Sequence, residues 1–135
     1  MTKILDGKNA VLGRLATAVA KELLKDEQIV ILNSEKIIIT GKPKQIVSKY
    51  LKRRRIGSPQ HGPFFPKKPN LIVRRTVRGM LPKSRKGIKA LKKLRVYESL
   101  PEEFKDKKAE TIAVKEIKTD FITIKDLSKA LGSSD

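Results

Sequence analysis

The spacing of apolar residues along the chain predicts short strands that alternate with amphipathic helices. Residues 3–6, KILD, are typical of a short first strand. In residues 9–26 the apolar side chains recur at the spacing of a helix with one buried side, and Asn9 is its expected N-cap. The apolar residues of that helix are Leu12, Leu15, Ala16, Val19, Ala20, Leu23 and Leu24. The run IVIL, residues 29–32, predicts a strand buried on both faces, and KIIIT, residues 36–40, predicts another strand or a bent continuation.

The middle of the chain predicts three more helices. Pro43 suits the first turn of a helix that ends in the cations of residues 52–55, where positive charge favours a helix C-terminus. Residues 71–81 predict a second helix, which Pro82 stops. Residues 86–94 predict a short third helix. The apolar positions that define the first and third of these helices are Ile46, Val47, Tyr50 and Leu51, and Ile88, Leu91 and Leu94.

The C-terminal part continues the alternation of strand and helix. RVYES, residues 95–99, is typical of a strand, and the acidic stretch after it predicts a surface turn or a short helix. In the last helix Thr123 is the expected N-cap, Asp126 completes a capping box, and Gly132 ends the helix. Short strands that alternate with helices predict an α/β layered fold, and a length of 135 residues predicts a single domain, 1–135.

The distribution of charge points to a polyanionic partner. The formal net charge is +18, but residues 36–97 contain 20 Lys or Arg and no Asp or Glu, whereas the two ends are nearly neutral. A surface that is merely soluble mixes its signs of charge. Because apolar residues recur at ordered spacing within the basic region, it is not a disordered tail. We therefore expect residues 36–97 to bind nucleic acid through phosphates.

Little in the sequence favours an enzyme. The chain has no cysteine, which excludes disulfides, thiolate metal sites and cysteine nucleophiles, and we expect neither a metal nor a cofactor. TGKPKQ, residues 40–45, lacks the first glycine and the final Ser or Thr of a P-loop. The single histidine, His61, lies in the long Pro/Gly-rich connector 57–70 without a nearby acid, so it is either an RNA contact or an ordinary loop residue.

The segment RRTVRG, residues 74–79, combines apolar and cationic positions. Arg74 and Arg78 are four residues apart and share a helix face, and Val77 belongs to another that can enter the core. Arginine suits phosphate because its planar fork donates two hydrogen bonds at once. Since only 4% of the residues are aromatic, we expect recognition of backbone and shape in folded RNA rather than stacking on single strands.

Four motifs together resemble a known family. VLGRLAT (11–17), NSEKIIITG (33–41), RTVRGMLP (75–82) and LKKLRVYES (91–99) occur in the order found in the L-thirteen family of large-subunit ribosomal proteins, in its archaeal and eukaryotic branch. The resemblance covers about residues 3–100 and is weaker in the C-terminal third. It implies a three-layer α/β/α domain around a small, mainly parallel sheet, with a long basic loop and helical extensions.

The resemblance also implies a structural, non-enzymatic role in the large ribosomal subunit, with large-subunit ribosomal RNA and neighbouring ribosomal proteins as partners. Mapped onto this chain, the loop 59–66 and the basic clusters are expected to contact RNA. The expected RNA-binding residues are Gly13, Arg14, Lys42, Lys44, Lys52, Arg53, Arg54, Arg55, His61, Arg74, Arg75, Arg78, Gly79, Lys83, Arg85 and Lys86. For Gly13 and Gly79 a second interpretation stays open: Gly13 allows close packing within the protein, and Gly79 eases the end of its helix.

Two other functions stay open at the level of the sequence. The same basic surface would serve a free RNA-binding regulator of translation, and an enzyme of RNA metabolism is the more remote alternative. MTKILDGKNA lacks the long apolar core of a signal peptide, and no apolar run approaches the roughly 20 residues of a membrane span. We expect a soluble protein of the cytoplasm, bound to the ribosome and without a membrane or small-molecule partner.

Overall fold

The computed structural model describes residues 2–55, 68–104, 107, 109–111 and 120–132, which form two sheets and five α-helices. The strands are β1 (Thr2–Asp6), β2 (Gln28–Leu32), β3 (Ile38–Thr40), β4 (Leu94–Val96), β5 (Glu110–Thr111) and β6 (Phe121–Thr123). The α-helices are α1 (Leu12–Leu24), α2 (Pro43–Arg55), α3 (Pro69–Met80), α4 (Arg85–Leu91) and α5 (Ile124–Ala130). Within this part of the chain, no helix is long and apolar enough to span a membrane.

The larger sheet is parallel, and the smaller sheet is an antiparallel pair. The four strands of the larger sheet lie in the order β4–β2–β1–β5, and the register pairs Ile4 with Val30 and Ile29 with Leu94. Parallel neighbours need a crossover, which α1 supplies between β1 and β2. The smaller sheet pairs β3 with β6, where Ile39 lies opposite Ile122.

The main core lies between the larger sheet and the helices α1 and α3. Leu15 and Val19 of α1 and Val73 and Val77 of α3 are all fully buried, and they join Ile29 and its neighbours in one apolar cluster. Each is aliphatic, as the low aromatic content requires. Because α3 contributes one apolar side to this core, its other sides are left for the cations of the basic region.

The opposite face of the sheet is also covered. Val30 and Leu32 of β2 pack there against Phe104, whose short 3-10 helix spans Glu102–Phe104. The Phe104 ring lies 5.6 Å from the Tyr97 ring, measured between centroids. Packing on both faces of a small, mainly parallel sheet confirms the expected three-layer α/β fold.

Most predicted elements are found at or near their expected positions, and Asn9 is the main local correction. Val11, not Asn9, is the N-cap residue of α1, and no side chain caps the helix. Asn9 has a φ of 62° and its backbone N–H donates to the carbonyl of Lys36. Val11 forms a bridge with Ile38, so the start of α1 is fixed by the neighbouring strand rather than by a polar side chain.

Two boundaries also differ from the prediction. The stretch 36–40 begins in a 3-10 turn, and only Ile38–Thr40 is a strand, which pairs with β6 rather than extending β2. Leu94, expected at the end of a helix, begins β4 because it pairs with Ile29 in the larger sheet. The Thr123 cap is confirmed, since its hydroxyl oxygen accepts a hydrogen bond from the Asp126 N–H at 3.2 Å.

Candidate nucleic-acid interface

Helix α3 presents its arginines from a firmly anchored position. Pro69 occupies the first turn, where the missing N–H costs nothing, and Ile72, Val73 and Val77 are fully buried. At its other end Leu81 is extended and buried, and Pro82 prevents continuation. The apolar side of α3 therefore fixes the direction in which the remaining sides face.

The three arginines of α3 do not all face the same way. The Arg74 guanidinium is half-buried and donates a hydrogen bond of 2.9 Å to the backbone carbonyl of Leu94 in β4. Arg75 and Arg78 lie on the side towards α4 instead. The expectation that Arg74 and Arg78 share one phosphate-facing surface is thus not what the side chains show, because Arg74 is held at the edge of the sheet.

A groove of about 500 Å³ lies between α3 and α4, and we call it the α3–α4 groove. Its lining residues are Arg75, Arg78, Gly79, Leu81, Pro82, Lys83, Gly87, Ile88 and Leu91. Arg78 and Lys83 are exposed, whereas Leu91 is half-buried. Ile88 remains 58% exposed although it belongs to the apolar repeat of α4. The groove therefore combines cationic and apolar surface.

The close approach of α4 to the end of α3 depends on Gly87. A β-carbon at this position would overlap the backbone carbonyl of Pro82, so only glycine fits here. The cations Arg85 and Lys86 precede Gly87 and are exposed. The end of α3, the turn after it and the start of α4 thus carry four exposed cations, at Arg78, Lys83, Arg85 and Lys86.

Gly13 and Arg14 lie on the exposed side of α1, close to the end of α3. The Thr17 hydroxyl donates to the carbonyl of Gly13 at 2.9 Å and lies 3.4 Å from the sulfur of Met80. A β-carbon placed on Gly13 would have no heavy atom of the described residues within 4 Å. Close packing inside the described part of the protein therefore does not account for this glycine.

The first turns of three helices next to the basic surface lack acidic residues. The N-cap residues of α1, α3 and α4 make no capping hydrogen bond through their side chains, but in the first turn of α3 the Asn70 amide oxygen accepts from the Leu71 N–H at 3.0 Å. Free N–H groups at a helix N-terminus and the helix dipole favour anions. By contrast, α5 lies outside the basic region and has both the Thr123 cap and Asp126 in its first turn.

Helix α2 carries a second group of the predicted cations. Ile46 and Tyr50 are each 9% exposed and anchor the helix to the main core. Lys42, Lys44 and Lys52 are exposed. The helix runs through to Arg55 as predicted, but the side chains of residues 53–55 lie outside the described part of the structure, as do His61 and the loop 59–66.

Comparison with known proteins identifies the family. Residues 1–103 match the family described as Ribosomal protein L13. The chain belongs to the ribosomal protein L13 family. All four motifs that carried the resemblance lie within the matched residues. The exposed cations of α3, α4 and the start of α2 lie there too.

Archaeal relatives extend the similarity to almost the whole chain. A protein of Methanopyrus kandleri named large ribosomal subunit protein uL13 is 43% identical over 136 residues, covering 96% of this chain and 86% of its own. Proteins of the same name from Thermoplasma volcanium and Archaeoglobus fulgidus are 44% and 41% identical, with 96% of this chain covered in each case. They cover 98% and 86% of their own lengths. Membership of this family places the chain with the structural proteins of the ribosome.

Some residues of this surface were not anticipated from the sequence. Thr17 and Met80 join α1 to α3, and Ile88 lies exposed in the α3–α4 groove. For Ile88 the available signal was its position among Lys and Arg on a very short helix, which leaves little room for a buried apolar side. Among the described residues, no three His, Asp or Glu side chains are grouped so as to hold a metal.

Proposed function

We propose that the protein is a structural constituent of the large ribosomal subunit, and that it binds large-subunit ribosomal RNA and supports assembly and translation. The observation that carries the proposal is the near full-length similarity to proteins named large ribosomal subunit protein uL13. In this role the chain acts as one domain, 1–135, within cytoplasmic ribosomes. Its basic region, 36–97, faces the RNA.

Phosphate contact is supported by the exposure of the cations. Arg78, Lys83, Arg85 and Lys86 are all exposed, and residues 36–97 contain no acid that could neutralise them locally. Each cation that meets a phosphate releases a condensed counterion, so such contacts add affinity that falls as salt rises. The same reasoning applies to Lys42, Lys44 and Lys52 of the α2 region.

Shape recognition is supported by the way the cations are held. The apolar side of α3 is buried, so the exposed arginines start from a rigid element rather than from a tail. Backbone N–H groups at the start of α1 add directional donors for phosphate oxygens. A rigid array of donors selects an RNA surface by its geometry, which is the usual mode for folded RNA.

Protein neighbours in the subunit would meet the parts of the chain outside the basic region. Phe121 of β6 is 47% exposed and Leu100 is 46% exposed, and both follow residue 97. Because apolar surface gains nothing from phosphates, these two side chains suit contact with other ribosomal proteins. The basic and the near-neutral surfaces thus serve different partners.

A sedimentation experiment tests the proposal. The tagged protein is expressed in archaeal cells, and lysate is separated on a sucrose gradient before and after a high-salt wash. We expect the protein to co-sediment with the large subunit and to resist the wash, because shape-specific contacts survive where simple charge attraction is screened. A protein that stays at the top of the gradient would instead support a free RNA-binding regulator.

A charge-reversal variant links this result to the proposed surface. We expect Arg78→Glu, Lys83→Glu and Lys86→Glu together to abolish incorporation, because they convert three phosphate contacts into repulsion. A matched control reverses three exposed lysines outside the basic region, Lys21, Lys125 and Lys129, and should incorporate normally. Equal loss in both variants would show that only the net charge matters.

A further inference from the structure

The α3–α4 groove has a composition that phosphate binding alone does not explain. Its rim carries Arg78 and Lys83, but its wall includes Ile88, which is 58% exposed, and the half-buried Leu91. An exposed isoleucine gains nothing from a phosphate, whereas its burial by an apolar part of a partner would contribute to binding. The groove therefore fits a partner that is anionic in one part and apolar in another.

Two glycines line the groove. At Gly87 a β-carbon would overlap the Pro82 carbonyl, so glycine allows α4 to lie against Pro82. At Gly79 a β-carbon would have no heavy atom of the described residues within 4 Å. Glycine inside a helix is less favourable than alanine. No described neighbour within 4 Å accounts for Gly79. It eases the end of α3 at Met80, and it also leaves open surface in the groove for a partner.

We propose that the α3–α4 groove binds one unstacked nucleotide of ribosomal RNA. Its base packs on Ile88 and Leu91, and its phosphates lie against Arg78 and Lys83. Unpaired bases in loops and bulges are the parts of RNA that proteins read individually. A groove of about 500 Å³ falls within the size range of small-ligand pockets. The proposal rests on the function proposed above and assigns one element of the RNA to one place on the protein.

A protein segment fits the charge of the α3–α4 groove less well than a nucleotide does. Residues 75–89 contain six cations and no acid, so an approaching peptide would need to be strongly acidic and also apolar. A base-paired RNA helix is poorer by shape, since its bases are stacked inside and only its backbone could reach the groove. A single flipped nucleotide supplies both negative charge and an apolar surface.

The test fills the groove without removing a charge. In Gly79→Leu the added side chain occupies the groove, and the open space at this position lets the fold tolerate it. Purified full-length wild-type and variant proteins are titrated onto transcribed archaeal large-subunit ribosomal RNA in a filter-binding assay. We expect roughly tenfold weaker binding by the variant, because the apolar contact of one base with Ile88 and Leu91 is lost, with an unchanged dependence on salt. Ala130→Leu, at an exposed position of α5, is the control and should bind like wild type.

Chemical probing of the same complexes identifies what occupies the groove. Wild-type protein should protect one unpaired base from base-specific reagents, and Gly79→Leu should lose that protection while backbone protection from hydroxyl radicals persists. Ile88→Ser, a mild change at an exposed position, should lose the same base protection. Identical base protection by wild type and both variants would overturn the proposal. If the wild-type protein protects no RNA at all, the ribosomal function fails first, and this inference fails with it.

A photo-crosslinking residue at position 88 separates the two classes of partner. In purified large subunits, a crosslink from position 88 to ribosomal RNA would support the proposal. A crosslink to a ribosomal protein would overturn it, even if the RNA contacts of the surrounding cations were confirmed.

Discussion

The Arg74 guanidinium donates a hydrogen bond of 2.9 Å to the backbone carbonyl of Leu94, twenty residues further along the chain. Leu94 begins β4, which lies at the edge of the parallel sheet. The carbonyl groups along the free side of an edge strand have no strand partner. The Arg74 guanidinium donates a hydrogen bond to one of these carbonyl groups, that of Leu94. An arginine within a predicted RNA-binding cluster therefore also stabilises the fold.

We expect Arg74→Met to reduce the free energy of unfolding, because the variant keeps the apolar stem and loses the donor. A half-buried carbonyl that loses a charged donor costs about 1 to 3 kcal/mol. Arg78→Met, four residues later on the same helix, should leave stability nearly unchanged and weaken RNA binding instead. Urea unfolding and filter binding of both variants measure the two effects. If Arg74→Met unfolds like wild type, the hydrogen bond contributes nothing to stability.

The contrast between Arg74 and Arg78 shows where the sequence stops being informative. The helix, its buried side and its end at Pro82 were all predicted from local spacing, since each depends on residues within a few turns. The partner of Arg74 depends on where β4 lies in the sheet, which local spacing does not contain. Leu94 illustrates the same limit, because its distance from Leu91 suits a helix and only pairing with Ile29 makes it a strand.

The sequence predicts which segments of the chain carry the cations of the candidate site, but not which side chains come together on one surface. The cations of α3 and α4 were identified from charge alone, and the structure brings Arg78 and Lys83 to one groove. The groove itself could not be predicted, because it depends on the contact between Gly87 and Pro82. Similarly, Asn9 is a suitable N-cap by residue type, but the pairing of Val11 with Ile38 decides how α1 begins.

Gly87→Ala tests that contact. The added methyl group would overlap the Pro82 carbonyl, and backbone cannot move aside as a flexible side chain can. We expect a loss of about 1 to 3 kcal/mol in the free energy of unfolding, as for other overpacked positions. Thermal or urea unfolding measures it. The matched control is Gly79→Ala, which should gain up to about 1 kcal/mol because alanine is the better helix former. Equal effects at the two glycines would contradict this account of the groove.

Gly13→Ala distinguishes the two interpretations of the glycine in the first turn of α1. Since nothing described lies within 4 Å of the added methyl group, we expect stability to be unchanged or to rise by up to about 1 kcal/mol. If RNA approaches the backbone here, incorporation into the large subunit should fall although the isolated protein is no less stable. Gradient sedimentation measures the incorporation of the variant, and thermal unfolding of the same preparation measures its stability. A destabilised protein would restore the close-packing interpretation.

The ion pair between Lys3 of β1 and Glu22 of α1 predicts a pH dependence of stability. The two side chains are 2.9 Å apart and partly exposed. The hydrogen bond from Lys3 lowers the pKa of Glu22, with a smaller direct contribution from the Lys3 charge. The hydrogen bond to Glu22 likewise raises the pKa of Lys3. Both shifts favour the charged forms, so the pair stabilises the folded protein where both groups are ionised.

The sign of the effect differs at the two ends of the pH range. A lowered carboxyl pKa contributes stability above the ordinary Glu value, and it is lost as pH falls through the folded-state pKa. A raised lysine pKa contributes stability below the ordinary Lys value, and it is lost as pH rises through the folded-state pKa. We therefore expect the melting temperature of wild type to exceed that of Glu22→Gln near pH 7, by a small amount because solvent screens the pair.

That difference should shrink as the pH falls through the lowered folded-state pKa of Glu22, and again as it rises through the raised folded-state pKa of Lys3. Melting curves from acid through neutral to alkaline pH measure it. In a Lys3→Gln background the Glu22→Gln change should have little effect at any pH, because its principal partner is already missing and the pair with Lys25, at 3.8 Å, is more exposed. A constant difference between Glu22→Gln and wild type across the range would show that the substitution acts through packing rather than through the ion pair.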